Sequence, residues 1–474
     1  MCAMPTLRKS KRVTNWDPED TLAWESGNKY IARRNLIWSV FAEHVGFSIW
    51  SIWSVMVLFM PEAVYGFTAG DKFLLGATAT LVGGCLRIPY TLATATFGGR
   101  NWTAFSAFVL LIPTVGTMVL LANPGLPLWP YLLCAALAGF GGGNFASSMT
   151  NINAFYPQRL KGWALGLNAG GGNIGVPMIQ LVGLLVIATA GNRAPYWVCA
   201  VYLVALAVAG IGAALYMDNL EQHKIDLGAM KAILAERDTW VISLLYIGTF
   251  GSFIGFAFAF GQVLQINFTA GGQTPAQASL HAAQIAFIGP LLGSLSRVYG
   301  GKLADRVGGG RVTLAVFGGM ILAAGMLVAI SMFDDHTAGA ANSLTMIGYV
   351  IGFVALFLLS GLGNGSVYKM IPSIFEARSY SLPVSEDERQ RWSQSMSGAL
   401  IGFAGAIGAL GGVGINLALR QSYLSSGSAT TAFWIFLAFY VLASACTWFR
   451  YVRRPAATGV TTAPEDRHAS AMAG

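Results

Sequence analysis

Residues 301–311 read Gly301-Lys-Leu-Ala-Asp305-Arg306-Val-Gly308-Gly-Gly-Arg311, a short glycine-rich turn carrying one acid and two arginines between two apolar runs. The run before the turn repeats an earlier one at a constant offset of 210 residues, so that Gly83, Arg87, Gly98-Gly99 and Thr103 match Gly293, Arg297, Gly308-Gly309 and Thr313. Each copy therefore sets an arginine eleven residues before a Gly-Gly turn. A second echo, at offset 222, joins Gly139-Phe-Gly-Gly-Gly143 to Gly361-Leu-Gly-Asn-Gly365. Self-similarity on this scale is the mark of a duplicated architecture and predicts two equivalent halves.

Working outward from the turns, apolar stretches long enough for a bilayer core, which needs about 20 residues per helix, recur along most of the chain. Twelve are expected, at 35–60, 72–97, 103–122, 128–153, 163–190, 196–216, 239–264, 281–300, 312–332, 342–372, 395–419 and 431–449. The expected fold is an all-α polytopic membrane protein of two pseudo-symmetric six-helix halves, 35–216 and 239–450. These are joined by a linker at 217–238 and flanked by tails, 1–34 and 451–474, that read as disordered. With 55% hydrophobic and 11% charged residues in 474, a soluble core is excluded. The polar N-terminal tail does not read as a cleavable signal, so the first span is retained.

The formal charge of +8 belongs to topology. Assigned to alternate sides of the spans, 23 Lys and Arg residues fall on one side and only Lys72, Arg193 and Arg420 on the other. Positive loops stay in the cytoplasm, which puts both termini there in a cytoplasmic membrane. No basic face for nucleic acid can be assembled from charges scattered in this way. The five cysteines lie singly and the five histidines show neither haem nor metal spacing, so no metal, cofactor or catalytic cluster is expected and an enzyme is disfavoured. Gly170-Gly-Gly172-Asn-Ile-Gly175 fits the dinucleotide fingerprint by letter, but no strand precedes it.

Inside the spans the ionisable residues are Glu43, His44, Arg87, Arg297 and Lys369. An intramembrane charge costs about 2.5–3.5 kcal/mol on insertion scales and so marks a cavity or pathway. One acid against two repeat-related arginines leaves positive charge over, and the guanidinium fork suits a small planar oxyanion. Nitrate and nitrite meet that description; carboxylates and other small oxyanions meet it too. The glycines of 139–157 and 166–175 read as close helix packing. Among them Asn144, Asn151, Asn168 and Asn173 need polar partners.

The loop at 301–311 resembles the loop signature of the major facilitator superfamily, where it acts as a gating element; this implies gating roles for Asp305, Arg306 and Arg311. The first copy keeps Gly98-Gly99-Arg100 but lacks the acid. The runs Gly139–Pro157, Gly166–Gly175 and Gly361–Pro372, with Gly248-Thr-Phe-Gly-Ser-Phe-Ile-Gly-Phe256, resemble the nitrate/nitrite porter family of that superfamily. The resemblance implies that Arg87 and Arg297 clasp the anion, that Phe145 and Phe250 lie above and below it, and that Tyr246 and Asn173 add hydrogen bonds. Tyr368 matches an aromatic position of the same pocket, and Lys369 is either a third cation of the pathway or a residue near the end of its span.

Two arginines that repel without an anion favour obligatory nitrate/nitrite exchange. Against this, Glu43 and His44 titrate within span one, and Ala42-Glu-His-Val-Gly-Phe-Ser-Ile-Trp50 resembles the proton-linked branch of the family. The reading leans to proton-coupled nitrate uptake by alternating access, with the antiporter and a small-anion channel as rivals. Expected partners are nitrate, nitrite, protons and membrane lipid.

Overall fold

The computed structural model describes residues 12–191, 194–221, 227–337 and 343–453. The expected tail segments 1–11 and 454–474 and the linker residues 222–226 lie outside them. Among the described residues, twelve helices are long and apolar enough to cross a membrane. They are Thr21–Phe59, Ala69–Phe97, Gly99–Ala122, Leu128–Phe155, Gln158–Ala190, Tyr196–Tyr216, Arg237–Ala270, Pro275–Val307, Gly309–His336, Ser343–Ser379, Glu388–Ser426 and Thr430–Val452, called spans one to twelve below. Contacts divide the chain into one compact unit of Met1–Ile225 with Pro275–Phe287, and another of Asp226–Thr274 with Ile288–Gly474.

Local chemistry sets the helix limits. Span two opens on a capping box in which Thr68 Oγ1 accepts from the Asp71 N–H at 3.2 Å and the Asp71 carboxylate accepts from the Thr68 N–H at 3.0 Å. It ends at Gly98, whose φ of +86° recurs as +91° at Gly308, the same turn in the second copy. That left-handed backbone is open to glycine at little cost and strained for other residues. Pro113 breaks span three near Leu110, because it lacks the N–H that would bond the carbonyl of residue 109. Span eight runs to Val307, well beyond the expected end at 300, since nothing before the Gly308 turn interrupts it.

Spans one and seven depart from regular helix midway. Span one stops at Trp50; Ser51 takes φ −92° and ψ 9°, and its Oγ donates back to the Phe47 carbonyl at 2.9 Å before the helix resumes at Trp53. Span seven carries a π-helical turn over Ile247–Gly251. Such turns displace the side chains around them and are frequent at functional sites.

The N-terminal tail, expected to be disordered, is ordered from residue 12. Arg12–Val13 pair in parallel with Asn219–Leu220 beyond span six. Trp16 meets Phe155 edge-on at 5.3 Å, Trp24 meets Tyr156 at 5.7 Å, and Glu19 Oε1 accepts from the Gln158 N–H at 2.7 Å. The polar composition hid these two indoles, which need apolar surface and find it at the junction of spans four and five.

Candidate anion-binding and coupling residues

In the first unit the glycines of span four bring three helices together. A methyl group added at Gly141 would lie 2.1 Å from the Gly46 carbonyl oxygen of span one, and one at Gly142 would lie 2.8 Å from the Gly83 Cα of span two. The packing reading of these glycines holds. The close approach buries Arg87, which is 1% exposed. Its Nε donates to the Gly142 carbonyl at 3.3 Å, and its guanidinium carbon lies 4.7 Å from the Phe145 ring centre and 5.6 Å from that of Trp50. Phe47 extends the group, stacked on Phe145 at 6.2 Å. Trp50 and Phe47 were not singled out in the sequence; the signal that could have found them is the aromatic pair directly before the break at Ser51.

The second unit uses the same device with other residues. Span eight meets span ten through glycine: added methyl groups at Gly361 and Gly365 would lie 2.1 and 2.2 Å from the carbonyl oxygens of Gly293 and Arg297. Arg297, 8% exposed, has its guanidinium carbon 5.3 Å from the Tyr368 ring centre. Tyr368 leads to Tyr246 at 5.4 Å, and Tyr246 stacks on Phe250 at 5.2 Å with the rings 10° from parallel. Four residues expected in the site thus form one chain, with Tyr246 directly before the π turn of span seven and Phe250 within it.

The polar residues of spans four and five divide by partner. Glu43 is buried, and its Oε2 accepts from Asn168 Nδ2 at 2.7 Å and from Ser148 Oγ. Asn168 Nδ2 also lies 2.8 Å from Ser148 Oγ. Glycine makes room for the carboxylate: a methyl group at Gly172 would lie 2.2 Å from Glu43 Oε1. His44 is partly buried with Nδ1 3.1 Å from the Gly171 carbonyl, which can only accept, so the contact requires a proton on Nδ1. Asn173, adjacent to Gly172, is fully buried.

Lys369, read either as a third cation or as a residue near the end of its span, meets the signature turn. Its Nζ pairs with Asp305 Oδ1 at 2.8 Å, and both side chains are about half exposed, 49% and 51%. The ion pair ties span ten to the signature turn, where Arg306 and Arg311 are also exposed. Among the described residues no three His, Cys, Asp or Glu gather as metal ligands.

Among the described residues, twelve spanning helices in two repeated halves, each with a matching glycine turn after its second helix and a buried arginine before that turn, define an all-α polytopic membrane protein. The model of the Major Facilitator Superfamily matches residues 36–382, and the chain belongs to that superfamily, within its nitrate/nitrite porter family. It is 36% identical over 466 residues to the nitrate/nitrite transporter NarU of Salmonella typhimurium, covering 93% of this chain and 96% of the relative. It is 30% identical to the probable nitrate/nitrite antiporter NarK2 of Thermus thermophilus, over 94% of this chain and 98% of that one. Among solved structures, the nucleoside transporter NupG matches with a TM-score of 0.58 at 13% identity, covering 88% of this chain and 99% of that one, a likeness of fold. The chain is a membrane transporter and not an enzyme.

Proposed function

We propose that this protein carries nitrate and nitrite across the cytoplasmic membrane by alternating access, with both termini in the cytoplasm, and that its main activity is nitrate uptake driven by protons. The observation that carries the substrate reading is the pair of repeat-related, buried arginines, each set against an aromatic ring, in a chain whose relatives carry nitrate/nitrite names. A buried guanidinium retains its charge and needs an anion, and its planar fork matches a planar oxyanion. In this reading Phe145 and Asn173 serve the anion with Arg87 in the first half, and Phe250, Tyr246 and Tyr368 serve it with Arg297 in the second.

Glu43 is the proton carrier of the proposal. A buried carboxylate that accepts from an amide and a hydroxyl changes its hydrogen bonding on protonation, because the protonated acid becomes a donor. His44, with Nδ1 committed to the Gly171 carbonyl, keeps Nε2 to relay. The antiport reading is supported by the name of the Thermus thermophilus relative.

Nitrate uptake into proteoliposomes under an inward proton gradient, with and without nitrite inside, separates the two. Gradient-driven uptake into nitrite-free vesicles, lost in Glu43→Gln while nitrate/nitrite counterflow survives, is the expected result. Uptake only with internal nitrite would leave Glu43 a structural residue and make the protein an exchanger.

A further inference from the structure

We infer that Trp50 is a positioning residue of the anion site, acting by fixing the plane of the Arg87 guanidinium; this rests on the reading of Arg87 as an anion ligand. The indole is built into place from three helices. It is fully buried, and its Nε1 donates to the Ala79 carbonyl of span two at 2.8 Å. Two glycines frame it: an added methyl group at Gly83 would lie 2.4 Å from Trp50 Nε1, and one at Gly142 would lie 2.7 Å from Trp50 Cε2. Gly142 also supplies the carbonyl that accepts from Arg87 Nε. One residue of span four therefore fits the indole and holds the guanidinium together.

The chemistry of the contact explains why a ring is wanted there. A guanidinium offers two kinds of surface, faces that attract aromatic rings and an edge of N–H donors that recognises oxyanions. The guanidinium carbon lies over the ring of Trp50 at 5.6 Å and over that of Phe145 at 4.7 Å; in the proposal these contacts use its faces and leave recognition to its edge. The Nε hydrogen bond ties one edge of the planar group to span four, and the rings restrict its swing, so less ordering is needed when the anion arrives. Trp50 is also the last residue before the interruption of span one at Ser51, so a shift of that break moves the ring that restrains Arg87.

The test uses the purified full-length protein and nitrate as the probe, reading the nitrate Kd by calorimetry and the thermal stability of the nitrate-free protein. In Trp50→Leu the Kd is expected to rise about tenfold with the stability of the free protein changed by only a few degrees. Trp50→Phe keeps a ring face and loses the Nε1 anchor, so its Kd is expected within about threefold of wild type but measurably raised. Arg87→Lys is the control for the underlying reading. If Arg87→Lys weakens nitrate binding and Trp50→Leu leaves the Kd unchanged, Trp50 only packs and the inference is overturned. If Arg87→Lys itself binds nitrate as wild type does, the anion-ligand reading fails and the inference falls with it. Should Trp50→Leu not fold, Trp50→Phe decides alone, and a wild-type Kd there overturns the proposal.

Discussion

The two halves solve the same structural problems with different residues. Both end their second helix at a positive-φ glycine, Gly98 or Gly308, and both set a buried arginine against an aromatic ring of the second helix after it. The chemistry around these fixed points differs. The second turn carries Asp305, paired with Lys369. The first has no acid; there Arg100 donates from Nε and Nη2 to the Ala214 carbonyl at 2.8 and 2.6 Å, while Asn219 Oδ1 accepts from the Arg100 N–H at 3.0 Å. The clasps that join the first and last helices of each half have opposite polarity. In the first half a cation on span one, Arg34, meets the acid Asp218 after span six at 2.6 Å. In the second an acid on span seven, Asp238, meets Arg450 of span twelve at 2.9 Å. Duplication preserved where a tie is needed and left its sign and residue type open.

The largest effects are expected at the arginines. Lysine keeps the charge but loses the planar fork, so Arg87→Lys and Arg297→Lys should both cut nitrate uptake in proteoliposomes, by about 100-fold and at least about 10-fold respectively. Arg87 is given the larger loss because its guanidinium is held by Gly142 and by two rings that an ammonium would contact differently. The reverse order would show that the aromatic chain Tyr368, Tyr246 and Phe250 carries more of the site, and would break the comparison as drawn.

Next come the clasps. Asp238 is 5% exposed and accepts from Arg378, from Arg450 through two nitrogens and from the Tyr451 hydroxyl at 3.0 Å. Replacing it by asparagine leaves Arg450 facing an uncharged group, while Arg378 keeps the Glu236 carboxylate, at an expected cost of about 2–3 kcal/mol. Asp218 serves Arg34, which is 44% exposed, and Asn35, so Asp218→Asn should cost about 1 kcal/mol or less. Thermal unfolding of the two variants in the same detergent checks the ranking. Equal losses would mean that the polarity reversal has no energetic consequence. The exchange of Arg34 with Asp218 sharpens it, since a tie indifferent to sign should survive the swap.

Much of this architecture is legible in the sequence because a bilayer forces long apolar helices and a duplication repeats its glycines. The offset of 210 aligns Gly98 with Gly308, and the structure gives both the same backbone. Buried charge in a membrane protein is rare enough to single out Arg87, Arg297 and Glu43, and all three are buried. What the sequence hid depends on partners from other helices. Nothing in the Ser148 and Asn168 positions announces that both turn to Glu43, and Trp50 reads as one more membrane aromatic until Gly83 and Gly142 are seen to frame it. The tail failed for a related reason, since composition averages over Trp16 and Trp24 and misses that two indoles can anchor a polar segment.

Lys369 is the smallest and most diagnostic case. By position it is one residue from Tyr368, the ring beside Arg297, and sequence alone leaves it either a third cation or a residue near the end of its span. By contact it belongs to the loop, in an ion pair with Asp305 whose two members are both half exposed. Exposed pairs contribute about 0–1 kcal/mol and weaken with salt, so Lys369→Gln should leave nitrate affinity within about twofold of wild type, and Asp305→Asn should do the same. A cation that touched the anion in a desolvated site would cost far more, about tenfold or above in affinity for one lost charge-assisted hydrogen bond. Calorimetric titration of nitrate into the two variants distinguishes these outcomes. A tenfold loss confined to Lys369→Gln would move the lysine back to the anion and give the second half two cations where the first has Arg87; parallel, small changes in both variants keep one arginine in each half.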